Sequence, residues 1–161
     1  MANNILIAYQ ASMQNLTLTM ASLASGSARE CTAVDNTSNL FLDAMVYLAL
    51  QLQSGTPSGD ASIYVYAYGS ADGSNYDDNA TGSDAAITLR SPTTLKQLSV
   101  INAPTSGALT WKKTIPSVAA AFNGILPPKW GIVISNATGI AFNATEGNHT
   151  KQYRGVYNTF N

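Results

Sequence analysis

Chemistry at a protein site needs an acid, a base or a nucleophile held by partners, and this chain offers few. His149, in Gly147-Asn-His-Thr150, is the one histidine. A hydrolase triad would set it beside a serine and an aspartate, yet no Gly-x-Ser-x-Gly elbow occurs. A structural or surface histidine is the plainer reading. Cys31 is the one cysteine, so no intrachain disulfide can form, and it reads as a buried, inert thiol. One His and one Cys are too few for a His-rich or Cys-rich metal centre. Phosphate-loop and dinucleotide fingerprints are missing. The expectation is a chain with no catalytic residues, no cofactor and no metal, whose work is binding.

Three features could carry binding. Asp72-Gly-Ser-Asn-Tyr-Asp-Asp-Asn-Ala-Thr-Gly-Ser-Asp84 places four carboxylates in a Gly-bearing loop that could collect oxygen ligands for calcium. The spacing departs from the EF-hand pattern, and Asx-rich turns need such residues merely to bend the chain, so a solvated loop is the reading and calcium the alternative. Tyr64, Tyr66 and Tyr68 share one face of one strand. They suit a protein interface or a sugar-stacking platform, or else they cover the sheet and pack under the long loop. Finally, Ile5, Leu6, Ile7 and Tyr9 form an apolar N-terminal stretch suited to a strap that orders on binding. Six Asn-x-Ser/Thr tripeptides, at Asn15, Asn36, Asn79, Asn136, Asn143 and Asn148, are taken as chance in an Asn- and Thr-rich chain that mark surface loops.

The elements that must position these residues are strands. Leu16, Leu18 and Met20 alternate with Thr17 and Thr19, which predicts a strand over 14–20. Ser25-Gly-Ser-Ala28 is a small-residue joint, so residues 1–28 form an arm and 29–161 the body. From Leu40 to Gln53 every even position is apolar, which predicts a long strand with Leu42, Val46, Leu48 and Leu50 in the core; an amphipathic helix is the rival. Ser54 to Asp60 is a turn cluster, and Ser62–Ser70 is β-branched and aromatic, so the two strands should pair as a hairpin. Further strands are predicted at 95–101, 109–115, 130–136, 139–143 and 151–158. A short helix over Ser117–Gly124 has Ser117 as its cap and Gly124 as its exit, before Pro127-Pro128. The fold class is all-β: a β-sandwich, with a jelly roll as its form, and one short helix.

Composition narrows the partners. Hydrophobic residues make up 45% of the 161 positions, enough for a core, and charged residues only 11%, against about 25% in ordinary soluble proteins. The surface must be covered by Ser, Thr, Asn, Ala and Gly. A net charge of -1, with Lys112-Lys113 as the densest basic pair, argues against nucleic acid and against an anionic membrane surface. The first ten residues lack the basic region of a signal peptide, so synthesis in a cytoplasm is expected.

Several stretches together resemble small virion proteins of tailed bacteriophages. They are Asp35-Asn-Thr-Ser-Asn-Leu-Phe-Leu-Asp43, Ile63-Tyr-Val-Tyr-Ala-Tyr-Gly-Ser-Ala-Asp72, Ser117-Val-Ala-Ala-Ala-Phe122, Leu126-Pro-Pro-Lys-Trp-Gly-Ile-Val-Ile134, Gly147-Asn-His149 and Tyr153-Arg-Gly-Val-Tyr157. The resemblance covers roughly residues 35 to 157 and rests on short phrases, not on a catalytic signature. It implies a β-sandwich that decorates or cements an icosahedral head. The partner would be the major capsid protein, with self-association as a homo-oligomer, and the location the capsid exterior. No residue role carries over. The alternative is a carbohydrate- or receptor-binding domain of a phage fibre or tail.

Overall fold

The computed structural model describes residues 4–105 and 107–160. Their strands are β1 (Ile5–Tyr9), β2 (Gln14–Asn15), β3 (Ala28–Glu30), β4 (Val34–Asp35), β5 (Asp43–Gln51), β6 (Ser62–Ser70), β7 (Ala85–Ile87), β8 (Lys96–Asn102), β9 (Thr110–Ile115), β10 (Lys129–Ala137) and β11 (Thr150–Phe160). Sheet A runs β1-β11-β5-β9 with β2 also on β11; sheet B runs β7-β3-β10-β6-β8 with β4 also on β10. The antiparallel pairs nest: β6 with β8, β5 with β9, β3 with β10, β2 with β11. Pairing of β11 with β5 and of β10 with β6 then gathers these rungs into two sheets. A long hairpin wrapped in this way is a jelly roll, the form of β-sandwich expected from sequence.

Period-two alternation explains the layering. In β5, Ala44, Val46, Leu48 and Leu50 turn inward; Ile63, Val65 and Ala67 of β6 and Trp130, Ile132 and Ile134 of β10 meet them, all within one buried cluster. Burying each large apolar side chain is worth about 1.5–3 kcal/mol before chain entropy is counted. β6 lies where its β-branched and aromatic run predicts. The predicted helix is a single 3-10 turn, Ala119–Phe122, in which Ser117 Oγ accepts from the Ala120 amide at 3.1 Å and the chain leaves through left-handed Asn123 and Gly124.

Several expectations are corrected. Leu42 is 50% exposed and lies outside the core, unlike Val46, Leu48 and Leu50. The chain turns through a left-handed Leu40 (φ 54°) and β5 starts at Asp43, so the alternation runs past the strand that gives it meaning. β5 and β6 do not pair; they belong to different sheets, and residues 52–61 cross from one layer to the other. No strand forms at 139–143, where Phe142 makes one bridge to Leu52. Asn36 and Asn136 are buried, not on surface loops. Asn136 ties Leu23 and Ile140 carbonyls through Nδ2 and accepts from Thr138 through Oδ1.

The 14–20 alternation is right in facing and wrong in pairing. Leu16, Leu18 and Met20 are core residues, yet only Gln14–Asn15 joins a ladder. The segment passes from one sheet to the other: the Leu16 amide donates to Lys151 of β11, and Thr17 accepts from Thr32 beside β3. An arm ending at residue 28 is therefore too long, since 16–28 are part of the body. Removing residues 1–10 should leave a cooperatively folding protein with little change in melting temperature. Removing 1–22 strips Leu16, Leu18 and Met20 from the core, each worth about 2–5 kcal/mol, and should give a chain without a sharp thermal transition by circular dichroism.

Loop 71–84 is a third layer, not a solvated loop. It covers the outer face of sheet B, where Tyr68, Val133 and Glu30 are wholly buried. Tyr68 donates to the Cys31 carbonyl at 2.5 Å and meets Tyr76 of the loop edge-on at 5.7 Å. Its ring crosses Gly131, the residue opposite in β10, where any Cβ would collide with it.

Candidate interaction surface

Each group that sequence reading weighed for chemistry has its partners inside the fold. His149 is buried; its Nδ1 accepts from the Gln51 amide at 3.3 Å and its Nε2 donates to the Asn143 carbonyl at 3.0 Å. It thus clamps the end of β5 to the start of β11. Cys31 is buried, and desolvation pushes its thiol up to about 12, far from reactive thiolate behaviour.

The four carboxylates of the 72–84 loop divide among separate tasks. Asp72 accepts from the Ser74 and Asn75 amides and Asp77 from the Gly69 amide. Asp78 bonds Thr93 and pairs with Arg90. Asp84 takes Arg29 Nε at 2.6 Å and the Thr19 amide and hydroxyl. No group of three ligands suited to a metal gathers among the described residues.

These bonds set an acid limit on stability. Hydrogen bonds, first from the Asn75 amide, hold Asp72 below the ordinary Asp value. Burial pushes Asp84 and Glu146 up, but Arg29 and Thr19, and Lys151 with the Ala21 and Met20 amides, outweigh it, so both also titrate low. Groups with depressed folded values stabilise above their unfolded values and lose that contribution as pH falls. These carboxylates should lower the urea midpoint between roughly pH 4 and 2. A midpoint that rises on acidification contradicts this assignment.

Large apolar side chains without a covering element lie on the surface of sheet A. The register of β5 on β11 ends at the Asp43–Val156 pair, whereas β1 runs on from Tyr9 opposite Val156 to Ile5 opposite Phe160. Beyond Val156 the two outer strands continue as a ribbon. Ile5 is 64%, Ile7 71%, Tyr9 55% and Phe160 71% exposed. They point to the outer side, and Leu6 stands on the other side with Ala8. A two-stranded ribbon alone is marginal in water, and a free apolar edge invites pairing. The other edges are guarded: β7 is three residues long, β8 opens with Lys96, and β9 carries Lys112 and Lys113. β1 has no such guard.

The same outer face continues inward along sheet A. Arg154, opposite Met45, and Gln152, opposite Tyr47, follow Val156 along β11, and Thr114 stands beside Tyr47 on β9. With Met13 they line an open groove of about 330 Å³. Arg154, one of the lining residues, has its Nε buried with no hydrogen-bond partner among the described residues.

Of the residues predicted to bind, Ile5, Leu6, Ile7 and Tyr9 come together on this ribbon. The tyrosines do not join them, because β6 lies in the other sheet. Tyr64 and Tyr66 stack at 6.4 Å on the outer face of sheet B, half-buried. Tyr68 is wholly buried and cannot meet a partner. Sequence reading missed Phe160, Arg154, Met45 and Tyr47. A signal was present in β5, where Met45 and Tyr47 occupy the face opposite its apolar even positions. Met45 and Tyr47 thus add apolar surface to the outer side of a strand whose inner side is already apolar. No protein-family model matches the chain, and no curated protein sequence matches it.

Proposed function

We propose that this chain is a non-enzymatic structural virion protein that binds and stabilises an assembled phage capsid, as a decoration or cement protein. The observation that carries the reading is the β1–β11 ribbon, four large apolar side chains held in water on one side of an unguarded edge. Tyr, Phe, Met and Arg, the residues of the ribbon and the adjoining groove, are those enriched where protein contacts concentrate their energy. The jelly roll is used by capsid proteins and by lectins alike, so the fold supports the reading by analogy only. The phage-like phrases and the charge-poor surface add to it.

A cement works by linkage: a ligand that binds the closed shell and not the ruptured one shifts that equilibrium toward closed. Modest contacts suffice when repeated over a lattice. Thermal rupture of shells with and without the chain tests this. A raised rupture temperature at full occupancy is expected; equal temperatures would remove the cementing role.

A second reading is favoured by one feature. The stacked Tyr64–Tyr66 pair could serve as a platform for a sugar ring in a receptor-binding domain. Glycan-array binding that disappears in Tyr66→Ala would move the function there.

A further inference from the structure

Among the described residues the ion pairs are Arg29–Asp84, Arg90–Asp78 and Lys151–Glu146, and none uses Arg154. The nearest carboxylate by register is Asp43, one diagonal step away opposite Val156. Its Oδ1 already accepts from the Ala44 and Ala119 amides. Arg154 is thus a permanent cation whose buried Nε–H finds no acceptor among the described residues. A buried donor left unmade is costly, and a guanidinium fork matches a carboxylate in two parallel hydrogen bonds. The walls around it are mainly apolar, with Met13, Met45, Val46 and Tyr47 beside the polar Thr114 and Gln152. The acceptor that suits this site best is a carboxylate, which pairs with the charge and can bind in a bidentate fork, with apolar flanks against the walls.

The size of the surface selects the kind of molecule that brings it. The groove is continuous with Val156 and then with Tyr9, Ile7, Ile5 and Phe160 on the same face. From Gln152 to Phe160 this strip runs about 26 Å at the usual strand rise. A small carboxylate would fill the groove and leave the strip in water, whereas a protein surface covers both. We propose that the outer face of sheet A docks a partner protein that inserts an aspartate or glutamate side chain, flanked by apolar residues, against the Arg154 guanidinium. This deepens the shell-binding reading by giving the chemistry of the partner's contact, and only the partner's identity rests on that reading.

The test needs no shell. Acetyl-Leu-Glu-Leu-amide and its Gln counterpart are titrated into the full chain while the Arg154 Nε–H resonance is followed by NMR. The Glu peptide should shift that resonance saturably, with the Gln peptide at least tenfold weaker and the response lost in Arg154→Met. Equal response to both peptides, no shift at Arg154, or unchanged peptide binding by Arg154→Met would overturn the proposal. In a second arm, Arg154→Met should bind assembled shells at least tenfold more weakly while melting like the parent. Unchanged shell binding removes the Arg154 contact and leaves the cement reading standing. Sedimentation showing dimers that Arg154→Met abolishes would instead place a second copy in the groove and overturn the choice of partner.

Discussion

Replacing Trp130 by alanine should cost about 3–5 kcal/mol, the range for emptying a fully buried aromatic site. Trp130 projects from β10 into the sandwich, is 0% exposed, and meets the Tyr153 ring of β11 edge-on at 5.4 Å. It therefore joins sheet B to sheet A, and its removal leaves a void spanning both layers. Marginal domains hold about 5–15 kcal/mol in total, so this one change takes a large share. Trp130→Phe is a sharper test. The indole Nε1 is buried with no partner, so the smaller ring relieves an unmet donor while giving up volume and should cost no more than about half as much. Urea unfolding of the two variants decides it. A Phe variant as unstable as the Ala variant would show that the indole nitrogen has a role the contacts do not explain.

Glu30→Ala is expected to destabilise by about 3 kcal/mol, chiefly by unpinning the third layer. Glu30 lies on the outer face of sheet B at 0% exposure and accepts from the Thr81 amide at 2.9 Å, the Thr81 hydroxyl at 2.9 Å and the Gly82 amide at 3.1 Å. Without it two backbone donors face an apolar gap. Glu30→Gln can keep its carbonyl oxygen on both amides and turn its NH₂ toward the Thr81 hydroxyl, which can accept, so it should recover much of the loss. Hydrogen exchange locates the damage: the Thr81 and Gly82 amides should speed up most in Glu30→Ala, while the core amides of β5 and β10 change only with global stability. Uniform acceleration across the chain, with no excess at 81 and 82, would contradict the pinning role.

How much of this was legible in sequence follows from which signals are local. Alternation in Ser62–Ser70 and in 44–50 reports which face is wet, and it located β6 and the inward faces correctly. Pairing is not local. The turn cluster at 54–60 looks the same whether the chain doubles back in one sheet or crosses to the other, so the β5–β6 hairpin was the natural error. Leu16, Leu18 and Met20 reported their burial but not that their backbone partners lie in two different sheets. Glu30 was invisible, because one acid in a polar stretch says nothing of two amides 51 and 52 residues away. Ile5, Leu6, Ile7 and Tyr9 were legible as an apolar stretch, but not their pairing with β11 as a ribbon, because pairing is not local. Arg154 could not, since its interest lies in the partners it lacks.

The central claim is that the ribbon and the outer face of sheet A are turned toward an assembled shell. A cryo-electron microscopy reconstruction of particles saturated with the chain tests it most directly. The account predicts many symmetry-repeated copies on the outer surface, each with Ile5, Ile7, Tyr9 and Phe160 against shell protein and Tyr64 and Tyr66 facing away. A few copies confined to one vertex, or copies seated on the Tyr64–Tyr66 face with the ribbon in solvent, would contradict it.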